Sequence, residues 1–334
     1  MRVAVTGAAG YIGSRLVGRL LRAGHEVLAL DREAPAEPGM ARFIRCDLCD
    51  PDAYADALAG VDLLCHLAAA KGDWGISDAE YRRDNVTATG TLLGCARRAG
   101  IRNWIFYSTV SVLGPSDTAL DERAPRRPAN PYGATKAECE ALLEAYAREE
   151  PTARVLVLRP SVVFGQGNPW NTNIFRLIDA IERRRFVMIG RGGEVKTTSY
   201  IDNLLDAHEF LMERRARRPL AGVEVFHYVD EPGETTAELV AQIYRLLGRR
   251  QPTFRLPLAV AAPLALVGDA AASLLGVDLP ITSARVRKFC TATNFGARAI
   301  RDQGFVQRVD NEEALRRTID WYRGQATRRD TSTT

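Results

Sequence analysis

Short apolar runs alternate with amphipathic helical patterns along the first half of the chain. Val3-Ala4-Val5 is the first run, and apolar positions at helical spacing follow it between residues 16 and 21. A second run ends at Leu30, and the alternation continues to about Val163. Buried strands that alternate with helices favour a parallel, doubly wound sheet that binds its ligands at the carboxyl ends of the strands.

The pattern changes after Val163. A run rich in Gly, Pro and Asn covers residues 165–171 and predicts that the chain leaves the sheet for a second lobe. The segments at 197–201 and 225–229 predict that the chain crosses back. Residues from about 231 onward are typical of helices, so we predict an α/β protein with a smaller, mostly helical C-terminal lobe.

Three glycines, Gly7, Gly10 and Gly13, join the first predicted strand to the first helix. Their spacing permits a tight turn, a close approach of the backbone to a pyrophosphate, and close packing of the helix on the strand. Asp31 ends the second strand about 20 residues later, as a dinucleotide-binding fingerprint requires. A carboxylate there binds ribose hydroxyls and disfavours a 2′-phosphate, which favours NAD. The neighbouring Arg32 leaves NADP open, because a guanidinium can bind that phosphate.

A tyrosine and a lysine stand four residues apart, at Tyr132 and Lys136. On a helix these two positions share a face, and a nearby ammonium lowers the pKa of a phenol. A predicted strand at 104–108 leads into Thr109, whose hydroxyl can join the pair. We therefore expect a general acid or base at this place.

In this order and spacing, the motifs resemble the extended short-chain dehydrogenases/reductases of the NAD-dependent epimerase/dehydratase group. The similarity covers nearly the whole chain. Besides the glycine-rich start, it rests on Asp47-Leu48, residues 66–71, residues 85–91, Ser108-Thr109, Tyr132 with Lys136, residues 158–165 and residues 199–203.

The resemblance implies a Rossmann-type fold in which Tyr132 is the general acid/base and Lys136 holds the nicotinamide ribose. Thr109, in place of the commoner serine, would bind the reacting oxygen. Ser108 and His66 are expected to be buried structural residues. With Tyr132 and Lys136, the expected NAD-binding residues are Gly7, Gly10, Tyr11, Ile12, Gly13, Asp31, Arg32, Asp47, Leu48, Leu67, Ala68, Ala69, Lys71, Pro160 and Val163.

The resemblance also suggests the layout of the chain. It implies an NAD-binding domain and a substrate-binding lobe, and the polar C-terminus is expected to be disordered. The predicted parts are an NAD-binding domain at 1–165 with returning segments near 197–229, a substrate lobe at 166–196 and 230–325, and a disordered tail at 326–334.

The substrate is indicated by the second lobe. Residues 161–163 are Ser-Val-Val, where relatives that act on nucleotide sugars often carry an Asn for the diphosphate. Residues 173–177 and 189–204 instead resemble a subgroup that epimerises amino sugars on nucleotide or polyprenyl diphosphates. We therefore expect a redox-neutral epimerase or dehydratase of a nucleotide sugar or other diphosphate-linked sugar. The expected substrate contacts are Thr109, Asn173, Arg191 and Lys196.

Two other functions stay open. Val162-Val163 and the apolar segment 256–275 favour a net NAD(P)-dependent dehydrogenase or reductase of the 3β-hydroxysteroid or cinnamoyl type. The fold can also serve as a nucleotide-sensing module without chemistry, although the intact Thr109, Tyr132 and Lys136 argue against this.

Composition excludes several other classes. The 334 residues are 46% hydrophobic and carry a net charge of +4, which does not suggest a nucleic-acid partner. Arginine clusters at 183–185, 214–215 and 217–218 are expected to be solvated helix ends. The six cysteines lack the paired spacing of a zinc site, so no metal is expected and reduced thiols are.

The expected setting is a homodimer in the cytoplasm, with the helices that carry Asn85 and Tyr132 at the dimer interface, as the resemblance implies. The first strand begins at the N-terminus, so no signal peptide is expected. Pro257, Pro263 and Asp269 interrupt the apolar segment 256–275, which favours packed helices over stable membrane insertion. Peripheral membrane contact is the less favoured alternative.

Overall fold

A computed structural model describes residues 1–35, 39, 41–72, 75–169, 172–218, 220–275 and 282–331. Its strands are β1 (Arg2–Thr6), β2 (Glu26–Asp31), β3 (Arg42–Arg45), β4 (Leu63–His66), β5 (Asn103–Tyr107), β6 (Ser116–Leu120), β7 (Arg154–Pro160), β8 (Val162–Phe164), β9 (Met188–Ile189), β10 (Val195–Lys196), β11 (Thr198–Tyr200), β12 (Gly222–Tyr228), β13 (Glu234–Thr235), β14 (Arg255–Leu256) and β15 (Thr293–Phe295). Its α-helices are α1 (Tyr11–Arg22), α2 (Asp78–Tyr81), α3 (Ala88–Arg98), α4 (Pro131–Glu149), α5 (Asn173–Glu182), α6 (Ile201–Arg217), α7 (Thr236–Leu246), α8 (Leu258–Leu275), α9 (Ser283–Phe289), α10 (Arg298–Asp302) and α11 (Asn311–Thr331).

A parallel seven-stranded sheet, in the order β12-β7-β5-β4-β1-β2-β3, forms the N-terminal body. Successive side chains of a strand point to opposite faces. Val3 and Val5 accordingly belong to one buried cluster with residues of α1 and α6, whereas Ala4 belongs to another with residues of α3 and α4. Helices therefore cover both faces, and the predicted doubly wound sheet is confirmed.

The second lobe is built mainly from the chain after β8, and β6 joins it from the part before β8. A small sheet with the order β13-β10-β15-β6 lies there together with α5 and α7 to α11. Strand β12 joins the large sheet beside β7, near the predicted return at 225–229, whereas β11 pairs with β8 instead of joining it. The predicted departure at 165–171 is described only as far as Pro169.

Two expectations about charged and terminal segments need correction. Arg214 and Arg215 are not solvated: Arg215 is buried and donates to the Trp104 carbonyl at 2.7 Å, and Arg214 pairs with Glu224 at 2.9 Å. The aliphatic part of an arginine side chain can be buried when the guanidinium finds such partners. Helix α11 continues to Thr331, into the segment predicted to be disordered, while residues 332–334 lie outside the described residues.

Three buried histidines connect elements of the core. His66 lies 2.7 Å from the Thr6 hydroxyl, His208 of α6 lies 3.1 Å from the Tyr107 hydroxyl, and His227 of β12 is bonded to a backbone carbonyl. Burial lowers the pKa of His66 and of His208 to about 3, and that of His227 to about 4. The expectation that His66 is a structural residue is thus confirmed.

We expect mild acid to destabilise the fold, because these imidazoles are neutral in the folded protein and titrate near pH 6.5 when unfolded. Their contribution is fully present above pH 6.5 and is lost as the pH falls. The buried carboxyl of Asp230, with its pKa raised to about 6, opposes this effect between about pH 4 and 6. The unfolded state then binds about two more protons, so the free energy of unfolding should fall by about 3 kcal/mol between pH 6 and pH 5.

Urea unfolding at the two pH values measures this difference. His208→Gln should reduce the difference in bound protons between the unfolded and folded states by about one. The matched control His25→Gln changes a partly buried ring and should reduce this difference much less. A free energy of unfolding that does not change between pH 6 and pH 5 would contradict the neutral histidines.

Candidate functional site

The turn between β1 and α1 has no room for side chains. Gly7 has a φ of +68°, and a Cβ there would lie 2.7 Å from the backbone nitrogen of Ala68. A Cβ on Gly13 would collide with the Gly7 carbonyl oxygen. Gly10 caps α1 without a side-chain hydrogen bond, and the first turn of α1 holds no acidic residue. This backbone cradle at a helix N-terminus suits a phosphate or pyrophosphate.

Asp31 lies at the carboxyl end of β2, beside this turn. One carboxylate oxygen accepts a hydrogen bond from the Ala9 N–H at 2.8 Å, and the other accepts one from the Glu33 N–H at 3.1 Å. The side chain therefore fixes the glycine turn to the end of β2. The carboxylate stands where the fingerprint expects the ribose-binding acid.

Arg32 belongs to a cluster of two arginines and two aspartates. Its guanidinium lies 2.7 Å from Asp84 and 3.9 Å from Asp47. Arg83 pairs with the same two carboxylates, at 2.6 and 2.5 Å. Residue spacing does not reveal Asp84 or Arg83 as partners, because they lie more than 30 residues away from both Arg32 and Asp47. The positive charge of Arg32 is thereby balanced within the protein.

The loop after β4 carries several of the predicted cofactor residues. The Thr6 hydroxyl accepts hydrogen bonds from the N–H groups of Leu67 and Ala68, both at 3.2 Å, and is itself bonded to His66. Ala69 and the exposed Lys71 follow. Thr6 and His66 therefore hold this loop against the end of β1.

Asn85 also holds the loop after β4 in place, through hydrogen bonds to the loop and to α4. It is buried in a π-helical turn, Arg82–Thr87, a distortion that often accompanies functional sites. Its side-chain oxygen accepts from the Ala70 N–H at 2.7 Å, and its amide donates to the Thr135 hydroxyl of α4 at 2.9 Å. Sequence reasoning placed Asn85 in a family motif but did not assign it to the site.

Thr109 lies directly after β5. Its hydroxyl accepts from the Ser111 N–H at 3.1 Å and donates to the Ser111 hydroxyl at 3.2 Å. A Cβ on Gly133 would lie 2.5 Å from the Ser111 carbonyl oxygen, so the first turn of α4 packs directly on this segment. Tyr132 precedes Gly133 in that turn. Ser111 was not among the predicted site residues, although the sequence shows this second hydroxyl two residues after Thr109.

Lys136 and Tyr132 stand on α4, as predicted, but their electrostatics differ from the expectation. Lys136 is buried, its ammonium lies 4.0 Å from the centroid of the Phe106 ring, and burial lowers its pKa to about 8. Burial raises the pKa of Tyr132, and the Tyr81 phenol, whose ring centroid is 6.4 Å away, adds to this increase. The direction is opposite to the lowering expected from Lys136, because desolvation of the phenolate outweighs a cation that faces Phe106.

A buried ion pair fixes α4 against the sheet. Glu140, one turn after Lys136, accepts from the Arg159 guanidinium at 2.8 and 2.6 Å. Ser108 of the β5 end donates to the same carboxylate, so its expected structural role is confirmed. Removing one partner of such a pair typically costs about 3–5 kcal/mol. The pair therefore holds the helix turn that carries Tyr132 and Lys136 in register with the strand ends.

The other predicted cofactor residues lie at or near strand ends. Tyr11 and Ile12 open α1, the buried Leu48 follows Asp47 beyond the end of β3, Pro160 ends β7, and Val163 lies in β8.

The predicted substrate residues stand on separate parts of the second lobe. Asn173 is exposed in the first turn of α5, Arg191 is exposed before β10, and the Lys196 ammonium donates to the Thr291 carbonyl. Their common role stays a prediction. Within the described ranges, no group of three or more His, Cys, Asp or Glu side chains is arranged to hold a metal ion.

Comparison with known proteins identifies similar sequences and folds. Residues 3–222 match the model of the NAD dependent epimerase/dehydratase family. The chain is 31% identical over 325 residues to the N-acetyl-alpha-D-glucosaminyl-diphospho-ditrans,octacis-undecaprenol 4-epimerase of Escherichia coli O157:H7, covering 96% of this chain and 94% of the relative. It is 29% identical to the 2-alkyl-3-oxoalkanoate reductase of Stenotrophomonas maltophilia, covering 95% and 98%. The structure of MoeE5 in complex with UDP-glucuronic acid and NAD is 28% identical, with a TM-score of 0.77 and coverage of 97% and 100%.

Proposed function

The chain belongs to the NAD-dependent epimerase/dehydratase family, and from this premise we propose that it is a 4-epimerase of a diphosphate-linked sugar. The observation that supports this most is the packing of α4 on β5: its first turn, with Tyr132, lies against the Ser111 segment after Thr109, and Lys136 contacts Phe106. One relative is named a 4-epimerase of a diphosphate-linked amino sugar, and MoeE5 was solved with UDP-glucuronic acid and with UDP-glucose. The cytoplasmic homodimer stays a prediction from the resemblance.

NAD is the cofactor of this family, and the residues of the site fit it. At Gly7 and Gly13 a Cβ would collide with neighbouring backbone atoms, so only glycine allows this tight turn. The resulting cradle of Gly7, Gly10 and Gly13 suits a pyrophosphate. Asp31 stands at the ribose position, and Lys136 is the buried cation for the nicotinamide ribose. Bound there, NAD would supply the hydride acceptor and donor that inversion at a sugar carbon through a keto sugar requires.

Tyr132 moves the proton in this proposal. It accepts the proton of the sugar hydroxyl as the keto sugar forms and returns it afterwards, while Thr109 binds the same oxygen. Since burial raises the pKa of the phenol, Tyr132 is a ready acid at neutral pH and needs a neighbouring cation to act as a base. Lys136, with a pKa of about 8, is mostly protonated at pH 7 and is the candidate for that cation, although its ammonium contacts the Phe106 ring in this structure.

Relatives that are named reductases or dehydrogenases support a second function. The reductase of Stenotrophomonas maltophilia aligns over nearly the whole chain, and net NAD(P)-dependent reduction or oxidation, as in the 3β-hydroxysteroid type, would use the same Tyr132 and Lys136. The two functions differ in stoichiometry: an epimerase leaves the cofactor unchanged after each turnover, whereas a net dehydrogenase or reductase changes its redox state.

We expect Tyr132→Phe to lower kcat by a factor of about 10² or more, the scale of general acid–base catalysis, with nearly unchanged NAD affinity. Steady-state kinetics and calorimetric titration measure the two effects. Tyr81→Phe is the matched control: it removes a phenol whose ring lies 6.4 Å from that of Tyr132 and should alter kcat far less. A phenylalanine variant at residue 132 that kept half of its turnover would exclude Tyr132 as the acid/base.

The protein should bind NAD at least tenfold more tightly than NADP, or about 1.4 kcal/mol, because Asp31 disfavours the additional phosphate. Calorimetric titration with both cofactors measures the ratio, and Asp31→Ala should reduce it. Asp84→Asn leaves Asp31 in place but removes the 2.7 Å partner of Arg32, so it should strengthen NADP binding. If the unmodified protein bound NAD and NADP equally, Arg32 would be the partner of the 2′-phosphate. Asp31→Ala would then change the ratio of the two affinities little.

Incubation with UDP-hexoses, UDP-N-acetylhexosamines and a polyprenyl-diphosphate N-acetylhexosamine should give a 4-epimer without net NADH. Lys196→Ala should raise KM more than it lowers kcat, because the diphosphate is a remote group bound equally in the ground and transition states. Lys196→Arg should restore KM. Since Lys196 also donates to the Thr291 carbonyl, thermal unfolding separates a structural effect. Stoichiometric NADH from a hydroxysteroid, with no 4-epimer from any sugar, would support the dehydrogenase instead.

A further inference from the structure

Exposed apolar side chains are concentrated on one part of the second lobe. Of the ten large hydrophobic side chains that are exposed in the described part of the chain, seven lie at residue 187 or within residues 254–267. Their exposed fractions run from 46% at Val260 to 67% at Val267. Soluble monomers rarely expose large contiguous apolar patches without a binding role. This apolar face consists of Val187, Phe254, Leu258, Val260, Leu264, Leu266 and Val267.

Strand pairing and one helix bring these residues together. Strands β9 and β14 are parallel, with Met188 opposite Arg255, so Val187 and Phe254 are neighbours. Helix α8 follows at once. Between residues 258 and 269 only the small Ala261 and Ala265 are fully buried, and they pack with Val286 of α9.

The burial pattern of α8 is therefore inverted. An ordinary surface helix buries its large apolar residues and exposes polar ones. Here alanines face the protein, whereas leucines and valines face outward. The large side chains contribute little to the core of the lobe, which indicates that a second apolar environment is their partner.

Arginines outnumber the carboxylates around the apolar face, beside which Asp179, Glu182 and Asp269 also lie. Residues 183–191 and 249–268, which carry the whole face, contain seven arginines and no aspartate or glutamate. Arg183 and Arg249 pair with Asp179 and Glu182, while Arg184, Arg250 and Arg255 are exposed. The chain as a whole has 45 basic and 41 acidic residues, so this separation is local. Exposed apolar side chains between arginines match the surface of an anionic bilayer.

We propose that the apolar face docks this protein on a membrane that contains anionic phospholipid. Among the helices that the structure describes, none has both the length and the apolar character needed to cross a bilayer. Pro263 lies inside α8, and Arg255 lies three residues before the helix begins. The helix therefore lies in the interface, with its outward leucines and valines among the acyl chains and the arginines at the headgroups.

Self-association explains this face less well. In a two-fold dimer the same patch of each copy meets the other, so the exposed Arg184, Arg250 and Arg255 of the two copies would come close together. Like charges at an interface oppose binding. An anionic bilayer has no such conflict. The proposal does not depend on which substrate the enzyme uses, although the Arg191 carbonyl accepts from Arg255 at 2.6 Å and so places the predicted substrate loop beside the face.

Flotation of the full-length protein with vesicles tests the proposal. We expect binding to phosphatidylcholine vesicles that contain phosphatidylglycerol, weak binding to phosphatidylcholine alone, and partial release by salt. Leu266→Glu with Val267→Glu should weaken the partition at least about tenfold, because two apolar contacts become charges. Val306→Glu is the matched control, because Val306 is 75% exposed and does not belong to the apolar face. This variant should bind the vesicles as the unmodified protein does. Arg184→Ala with Arg250→Ala should weaken binding to the anionic vesicles by roughly thirtyfold.

Several outcomes would overturn the proposal. One is that the unmodified protein does not bind the anionic vesicles. Another is that the Leu266/Val267 variant binds them as well as the unmodified protein does. A third is that the Val306 control loses as much binding as the Leu266/Val267 variant. A dimer that the Leu266/Val267 variant breaks, without vesicle binding, would assign the face to self-association. Phe254→Ser with Leu258→Ser provides an independent second variant, and thermal unfolding with NAD titration verifies that each variant is folded. Epimerase activity on a soluble substrate is measured separately, so its failure does not affect this test.

Discussion

The close contact between Gly7 and Gly13 is the constraint on which the site depends. The carbonyl of Gly7 occupies the space of a Gly13 side chain, so α1 begins directly against β1, near the middle of the sheet. This contact turns the helix N-terminus toward the strand ends, and it leaves backbone N–H groups as the natural partner of a pyrophosphate. The ends of β2, β4, β5 and β7 meet at the same edge because all these strands are parallel. Cofactor binding and chemistry are thereby brought together.

The chemistry also depends on interactions that are distant in sequence. The Glu140–Arg159 pair fixes α4 against the sheet, and Asn85 joins α4 to the loop after β4. Such buried polar groups stabilise only when every partner is in place. They also explain why Tyr132 and Lys136 sit in a desolvated site, where the pKa of the phenol rises and that of the ammonium falls.

The second lobe serves a different purpose. It places the predicted substrate residues on short strands and helix ends, and it exposes the leucines and valines of α8 between arginines. A helix that buries alanines contributes little to its own lobe, so its sequence is better explained by what it contacts outside the protein. The enzyme body and the proposed membrane surface are thus carried by separate elements, which allows each to change without disturbing the other.

The sequence by itself determined the doubly wound sheet, the glycine turn with Asp31 and the helix that carries Tyr132 and Lys136, because each follows from spacing over a few residues. The burial of His66 was implied by the family resemblance instead. Residue spacing could not reveal that Asp84 neutralises Arg32, that Arg215 is buried, or that burial of Tyr132 outweighs Lys136. Nor could it tell that α8 turns its large side chains outward. Ion-pair partners, desolvation and exposure depend on elements brought together across the fold, so only the tertiary structure decided them.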